Sequence, residues 1–413
     1  GTGQRCVAFM VPARGVQAAA GSRIHRCGPW RGRVSDVSIA RQSSCEAGKP
    51  DASEVLAAPA PSVAIAMPGG FEAGGIGRMM LYATKGWAGS AAAPRWWVVD
   101  GRGPGHLVWS PLHMVKALAL LASRRPDLLH INVAGRGSTL RKLLMSELAG
   151  ALRIKTIVHL HDYDYAVDLA RRPAWLRRRI VGMFRRARRV IVLGERDRET
   201  VEGDLGVPAA QVIVLHNAVP DPGPPPDRQE RAGPTRLLFL GHLDDRKGVP
   251  ELLEALSRPA LRRRDWRLVL AGGGELARFR QVIATGGLAE RCEVVGWVTH
   301  EQVYKRCREA DIFVLPSHAE GQAMALLEAM AHGLAIVTTP VGAHLEAVES
   351  GTEALLVQPG SIDELTDTLC TLIDQPERRS ALGRAARDKY CCQFDASEYA
   401  IKLRQIYLNS LGE

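Results

Sequence analysis

The chain has no run of 18 or more apolar residues, so no transmembrane helix is expected. It has no Cys-x-x-Cys pair, and none of its eight cysteines stands at a metal-ligand spacing with histidine. A structural zinc site is therefore not expected, and Cys6, Cys27, Cys45, Cys292, Cys307, Cys370, Cys391 and Cys392 read as reduced, mostly structural thiols of a cytosolic protein. No Gly-x-x-x-x-Gly-Lys-Ser/Thr run occurs, which excludes a P-loop nucleotidase. Acid is in short supply: 44 Asp+Glu against 54 Lys+Arg leave a formal net charge of +10. Two readings of that excess stand side by side, free arginine usage by a GC-rich genome and attraction to an anionic surface. No recognised nucleic-acid-binding motif accompanies the charge, so a membrane is the expected anionic partner and nucleic acid is not.

What is present is a long alternation. At 413 residues, 46% hydrophobic and 24% charged, the chain is globular in type and long enough for two domains with full cores. Residues 1–58 stand apart: arginine-rich, acid-poor, broken by Pro12 and Pro29, and without sustained periodicity. The composition resembles a transit peptide, but the expectation is a disordered or non-native extension. From Ser62, short apolar runs predict strands at Val63–Met67, Trp96–Asp100, Leu128–Val133, Thr156–His161, Val190–Leu193 and Val212–Leu215, with helical stretches such as Leu112–Ser123 and Ser138–Leu148 between them. Pro220-Asp221-Pro222-Gly223-Pro224-Pro225-Pro226 fits neither helix nor central strand and reads as a linker. The alternation then restarts, with strands at Arg236–Leu240, Arg267–Ala271, Glu293–Val295, Asp311–Leu315, Leu334–Thr338 and Ala354–Val357. The expected class is α/β: two Rossmann-like, doubly wound domains with an interdomain cleft. The expected divisions are 59–219, a linker over 220–234, a second domain over 235–392 and a terminal helix over 393–413.

The most informative stretch runs from Ser317 to Gly333. A buried strand at Asp311–Leu315 leads through a tight turn carrying Glu320 into a predicted helix over Gln322–His332 that carries Glu328. The unpaired N–H groups of a helix's first turn form an anion site. Glu328 lies eight residues beyond Glu320, roughly 12 Å if both ride one helix. A ligand with a diphosphate at the helix start and a polar sugar near Glu328 has the shape of a nucleotide-sugar. Other candidates cluster at strand ends. Gly74 and Gly75 follow the first strand and open a helix, although a glycine-rich turn there is also common as plain structure. His161 ends the Thr156–Leu160 strand, where it could orient a substrate hydroxyl or serve as an ordinary structural histidine. Lys247 precedes the Val249–Ser257 helix and is placed to neutralise phosphate, or to be a solvated surface lysine. Gly272-Gly273-Gly274 lets the backbone crowd a ligand.

Taken in order, Gly74–Arg78, the Gly241–Gly248 segment, Gly272–Gly274, Gly296-Trp297-Val298, Asn217 and the Glu320-to-Glu328 spacing resemble the retaining glycosyltransferases of family 4, with the GT-B fold, over about Ser62 to Leu411. The resemblance implies that Glu320 contacts the donor sugar and Glu328 the ribose. It places Lys247 on the diphosphate with amides around Gly321, Gln322, Ala323 and Met324, and Val298 beside the base. Gly74, Gly75 and His161 face the transferred sugar. Two departures stand out: His242 replaces the family's usual arginine, with Arg246 a possible substitute, and Gln322-Ala323 replaces the usual Phe-Gly.

The implied chemistry is transfer with retention from a nucleoside-diphosphate-sugar to a glycan acceptor, lipid-linked by preference, with no cofactor and no obligatory metal. The proton passes to the leaving phosphate by front-face displacement. A GT-B epimerase, a sucrose-type synthase and a non-catalytic nucleotide-sugar-binding protein are the rivals. Between Leu169 and Arg189 lie nine arginines interleaved with Leu176, Ile180 and Phe184 at helical spacing. The segment reads equally as a membrane-lying amphipathic helix and as a surface helix with its apolar stripe in the core. The expected location is cytoplasmic, with peripheral attachment to the inner face of the cytoplasmic membrane.

Overall fold

In a computed structural model, residues 60–67, 74–87, 94–99, 111–228 and 231–412 are described. The 1–58 extension and the glycine-rich turn before Gly74 lie outside them. Runs such as Leu128–Val133 and Ile312–Leu315 are buried at every residue, as strands covered on both faces must be. Among the described residues twelve strands form where the apolar runs predict them, with no end moved by more than one residue. The first sheet holds β1 (Ser62–Ala66), β2 (Arg95–Val99), β3 (Leu128–Val133), β4 (Lys155–Leu160), β5 (Arg189–Val192) and β6 (Val212–Val214) in the order β2-β1-β3-β4-β5-β6. The second holds β7 (Thr235–Leu240), β8 (Trp266–Ala271), β9 (Cys292–Val295), β10 (Ile312–Leu315), β11 (Ala335–Thr338) and β12 (Leu355–Leu356) in the order β12-β11-β10-β7-β8-β9. Every pairing is parallel. The architecture is GT-B: two doubly wound α/β units.

Around the first sheet run α1 (Gly74–Gly86), α2 (Pro111–Arg124), α3 (Arg136–Ala151), α4 (Tyr165–Ala170), α5 (Ala174–Arg186) and α6 (Glu195–Gly203). Around the second run α7 (Val249–Ser257), α8 (Pro259–Arg262), α9 (Leu276–Thr285), α10 (His300–Glu309), α11 (Met324–Ala331), α12 (His344–Ala347), α13 (Ile362–Asp374) and α14 (Pro376–Gln393). The last helix, α15 (Ala396–Gly412), returns to the first sheet. Trp87 Nε1 donates to Ala400 O at 2.9 Å and Lys155 Nζ to Leu411 O at 2.6 Å. The chain crosses between the sheets twice, and the crossings are tied: Val219 N donates to Phe394 O at 3.0 Å and Ala396 N to Val219 O at 3.0 Å.

Strand order locates the site. In the second sheet the winding reverses between β7 and β10, and ligands of open α/β sheets bind at such reversals. The loops leaving these two strands are Gly241–Gly248 and Pro316–Ala323, which carry Lys247 and Glu320. Gly248 sits at φ +71, and a Cβ there would collide with Pro316 O, so only glycine lets the two loops pack this closely.

One open alternative is decided and one expectation changes. In α5, Ile180, Met183 and Phe184 are buried in the cluster on one face of the first sheet, and Leu176 packs against it. The apolar stripe therefore belongs to the core and is not available to lie in a membrane; the arginines and Trp175, 62% exposed, face outward. Cys292, Cys307, Cys370 and Cys391 are free, but Cys392 is disulfide-bonded, against the expectation of reduced thiols. It sits half-buried at the end of α14. Among the described residues no helix is long and apolar enough to cross a membrane.

Candidate active site

The cleft between the two sheets has a volume of about 450 Å³, within the range of small-ligand sites. Two helix starts meet in it. A Cβ on Gly75, at the start of α1, would lie 3.7 Å from Cγ of Met324, the first residue of α11. Neither start carries an acidic residue in its first turn, and α11 has no side-chain cap. Its first N–H groups are therefore left for an anion, with the positive ends of two helix dipoles nearby.

Glu320 lies in the loop before α11, not on the helix. The helix begins at Met324, two residues later than expected, because Gly321 and Gln322 are held by other bonds. Gly321 O accepts from Ala343 N at 2.8 Å and Gln322 Oε1 from Asn217 N at 2.5 Å. The 12 Å separation expected along one helix therefore does not apply. Glu320 is buried and held on three sides. Its Oε1 accepts from Ser317 Oγ at 3.0 Å and pairs with Arg246 Nη1 at 3.4 Å and with Lys247 Nζ. Burial pushes its pKa up; the charge and hydrogen bond of Lys247, then Arg246 and His344, outweigh that, and the carboxyl titrates below its usual range.

Glu328, one turn into α11, is 4% exposed and pairs with Arg78 Nη1 of α1 at 3.2 Å across the cleft. Burial raises its pKa, and Arg78 only partly reverses the rise. A second bond across the cleft joins Tyr82 Oη of α1 to His300 Nδ1 of α10 at 2.8 Å.

Glu320, Glu328, His161, Lys247, Arg246, His242, Gly74, Gly75, Gly273, Val298, Gly321, Gln322, Ala323 and Met324 all line this cleft. They differ in what they offer. Lys247 is anchored, its N–H donating to Asp244 Oδ1 at 2.9 Å. Arg246 lies beside it, donating to Ala319 O at 2.8 Å with its guanidinium 5.4 Å from the Tyr163 ring. His242 is exposed and turned to Asp244 Oδ2 at 3.2 Å. Gly273 and Val298 flank the opposite end near Trp297, an exposed indole. The sequence gives no role of their own to the lining residues Arg78 and Tyr163. Arg78 closes the glycine-rich motif, yet its partner is 250 residues away. Trp297 lies inside the Gly296-Trp297-Val298 run and is an exposed member of the lining. Tyr163 follows His161 by two residues. Asn217 and Gln322 bond each other twice, with Asn217 Nδ2 also donating to Gln322 O at 3.1 Å, which ties the crossover to the α11 loop.

A model of the family described as Glycosyltransferase Family 4 matches residues 79–221, and one described as Glycosyl transferases group 1 matches residues 225–389. The chain belongs to these glycosyltransferases. This glycosyltransferase is 26% identical over 284 residues to alpha-D-kanosaminyltransferase of Streptomyces kanamyceticus, a match covering 64% of this chain and 72% of that one. It is 30% identical over 207 residues to glycogen synthase of Mycobacterium tuberculosis, covering 48% of this chain and 49% of that one, about half of that relative's length. Its fold superimposes on Anabaena Alr3699/HepE in complex with UDP and glucose with a TM-score of 0.68 at 18% identity, covering 84% of this chain and 100% of that one. Among the described residues no group of three or more His, Cys, Asp or Glu is placed to hold a metal ion.

Proposed function

We propose that this glycosyltransferase moves a sugar, with retention, from a nucleoside-diphosphate-sugar to a glycan acceptor. The supporting observation is the convergence of Lys247, Arg246 and the bare start of α11 on Glu320 at the strand-order reversal. The diphosphate lies on the α11 amides with Lys247 and Arg246 as counter-charges, so their positive charge meets the charge that develops on the leaving phosphate. Lys247 and Arg246 now rest on Glu320; an arriving diphosphate competes for them and frees the carboxylate to hold a sugar hydroxyl. Glu328 takes the ribose, and Val298 with Trp297 flanks the base. The bond from the anomeric carbon to the phosphate oxygen breaks, and the acceptor oxygen bonds to the same face. The acceptor's proton passes to the departing phosphate. Double displacement by a carboxylate pair is disfavoured, because Glu320 and Glu328 answer to different cations and share no partner. A thermal-shift panel of UDP-glucose, GDP-mannose and ADP-glucose, followed by product analysis with and without acceptor sugars, tests the reading. Stabilisation by one donor and acceptor-dependent release of its nucleotide are expected. A sugar altered without acceptor would identify an epimerase instead.

The acceptor is a lipid-linked glycan, supported by the outward arginine face of α5 with Trp175 beside it. That face meets an anionic bilayer by charge, since the apolar stripe is committed to the core. Flotation with phosphatidylglycerol vesicles is expected to lose the protein when Arg177, Arg178 and Arg179 are changed to Glu. Undiminished binding would remove the membrane from this account.

A further inference from the structure

His161 is the wall of the cleft contributed by the first sheet, and it is set on a buried polar column. Asn132 on β3 and His159 on β4 are register partners, and both are fully buried. His161 extends β4 by one residue, with its N–H bonded to Val133 O at 2.8 Å. Its Nε2 lies 2.8 Å from Asn132 Oδ1. The other end of that amide, Nδ2, donates to Ala66 O on β1 at 3.4 Å. Flipping the amide would set its oxygen against the Ala66 carbonyl oxygen, two acceptors face to face, so β1 dictates which end meets His161. A carbonyl oxygen cannot donate, and the proton of the His161–Asn132 bond must sit on Nε2. The remaining nitrogen, Nδ1, has no hydrogen-bond partner among the described residues, is not among their sealed-off polar atoms, and belongs to a ring that lines the cleft.

We infer that Asn132 is a positioning residue: it locks His161 in the Nε2–H tautomer and presents a bare Nδ1 to the cleft, making His161 a hydrogen-bond acceptor for a hydroxyl of the transferred sugar. The inference rests on the proposed reading that His161 faces that sugar. Burial, then the charge of His130, lowers the His161 pKa to about 3, so the ring is neutral where the enzyme works. The His159 ring, 4.0 Å away between centroids, adds a further reason not to carry charge. The charged groups around it are Asp162, next in the chain and turned against Gly135, and the cleft-lining Arg78, Arg246, Lys247, Glu320 and Glu328. A neutral acceptor discriminates in one direction: a donor sugar with a hydroxyl at this point satisfies the lone pair, and one lacking it leaves a polar atom unpaired.

The test uses the full chain with 15N-labelled histidine, and His161→Ala assigns the signal. Long-range proton–nitrogen correlation between pH 5 and 8 is expected to show His161 protonated on Nε2 alone. Asn132→Asp retains an acceptor and keeps that tautomer while moving the ring's titration upward. Asn132→Leu removes the acceptor and admits the Nδ1–H form. With the donor found by the panel, kcat/KM is expected to fall roughly tenfold in Asn132→Leu, the loss of one hydrogen bond. In Asn132→Asp it gains an acidic limb that the unmodified protein lacks. A proton on Nδ1 in the unmodified protein, or an Asn132→Leu spectrum identical to it, overturns the inference. The expected tautomer change with no change in kcat/KM instead overturns the sugar contact of His161, while transfer activity itself stands or falls on the donor panel.

Discussion

The two glutamates flanking the start of α11 have nearly the same burial and opposite electrostatics. Glu320 is 8% exposed and held by Ser317, Lys247 and Arg246, and its pKa falls. Glu328 is 4% exposed and held by Arg78, a partner from the other sheet, and its pKa rises. Burial alone pushes both the same way, so the difference measures cation supply. Glu320's cations come from the loop packed beside its own; Glu328's arrives from across the cleft and depends on the two sheets staying closed. One carboxylate is built into its own unit, and the other reports on the approach of its neighbour.

The largest expected difference is in turnover. Glu320→Gln keeps shape and burial but removes the anion that positions Lys247 and Arg246 and that later holds the sugar. It is expected to lower kcat on the order of 10²-fold, as for other groups acting on the developing charge, with donor KM changed little. Single-turnover rates and steady-state kinetics with the panel's donor measure both. A kcat within a few-fold of the unmodified protein would place the chemistry elsewhere.

The pair also shows how much the sequence discloses. Strand identity and both carboxylates were legible because they are local: fully apolar runs of four to six residues, a proline linker and glycines at strand ends each carry their own signal. The Lys247 loop and Glu320 loop were legible as motifs. Their adjacency was not, because it follows from β7 and β10 being neighbours, which is a fact of strand order. Arg78 reads in sequence as the end of a glycine-rich turn, because nothing near it explains a cation there; its partner Glu328 lies on the other unit. One helix start and one open alternative turn on physics that the sequence does not carry. The helix predicted over 322–332 starts two residues later, at Met324: small and apolar residues favour helix there, whereas Gln322 is spent on Asn217. The α5 stripe is open between membrane and core in the sequence, because an apolar face at helical spacing looks the same in both, and the packing decides for the core. Asn132 had no signal at all: one buried polar residue in an apolar strand carries meaning only once Ala66 and His161 flank it.

A smaller effect sharpens the comparison on binding. If Glu328 holds the ribose equally in ground and transition states, Glu328→Gln raises donor KM with kcat nearly unchanged. About tenfold is expected, one charge-assisted hydrogen bond's worth. Arg78→Met should act on the same contact, so the double variant should fall short of the sum of the two losses. Additive losses in a double-mutant cycle would mean that Arg78 and Glu328 do not work together in the donor complex.

The smallest effect is on stability, and there the two residues should slope in opposite directions with pH. Glu320 has its folded pKa lowered from 4.5. Its contribution is present above pH 4.5 and disappears as pH falls through the folded value. Glu328 has its folded pKa raised from the same 4.5. Its contribution is present below pH 4.5 and is lost as pH rises through the folded value, because a desolvated charge must then form. Glu328→Gln removes that penalty and should therefore equal or exceed the unmodified protein near pH 7, by about 1 kcal/mol or roughly 2 °C in Tm, with the gain shrinking toward pH 4. Glu320→Gln should lose stability at pH 7, and its curve should meet the unmodified one in acid. Melting curves from pH 3.5 to 8 without nucleotide distinguish these shapes. Two curves displaced in the same direction at neutral pH would show that Arg78 supplies Glu328 as fully as Lys247 and Arg246 supply Glu320, and the contrast between the two sites would then be one of position alone.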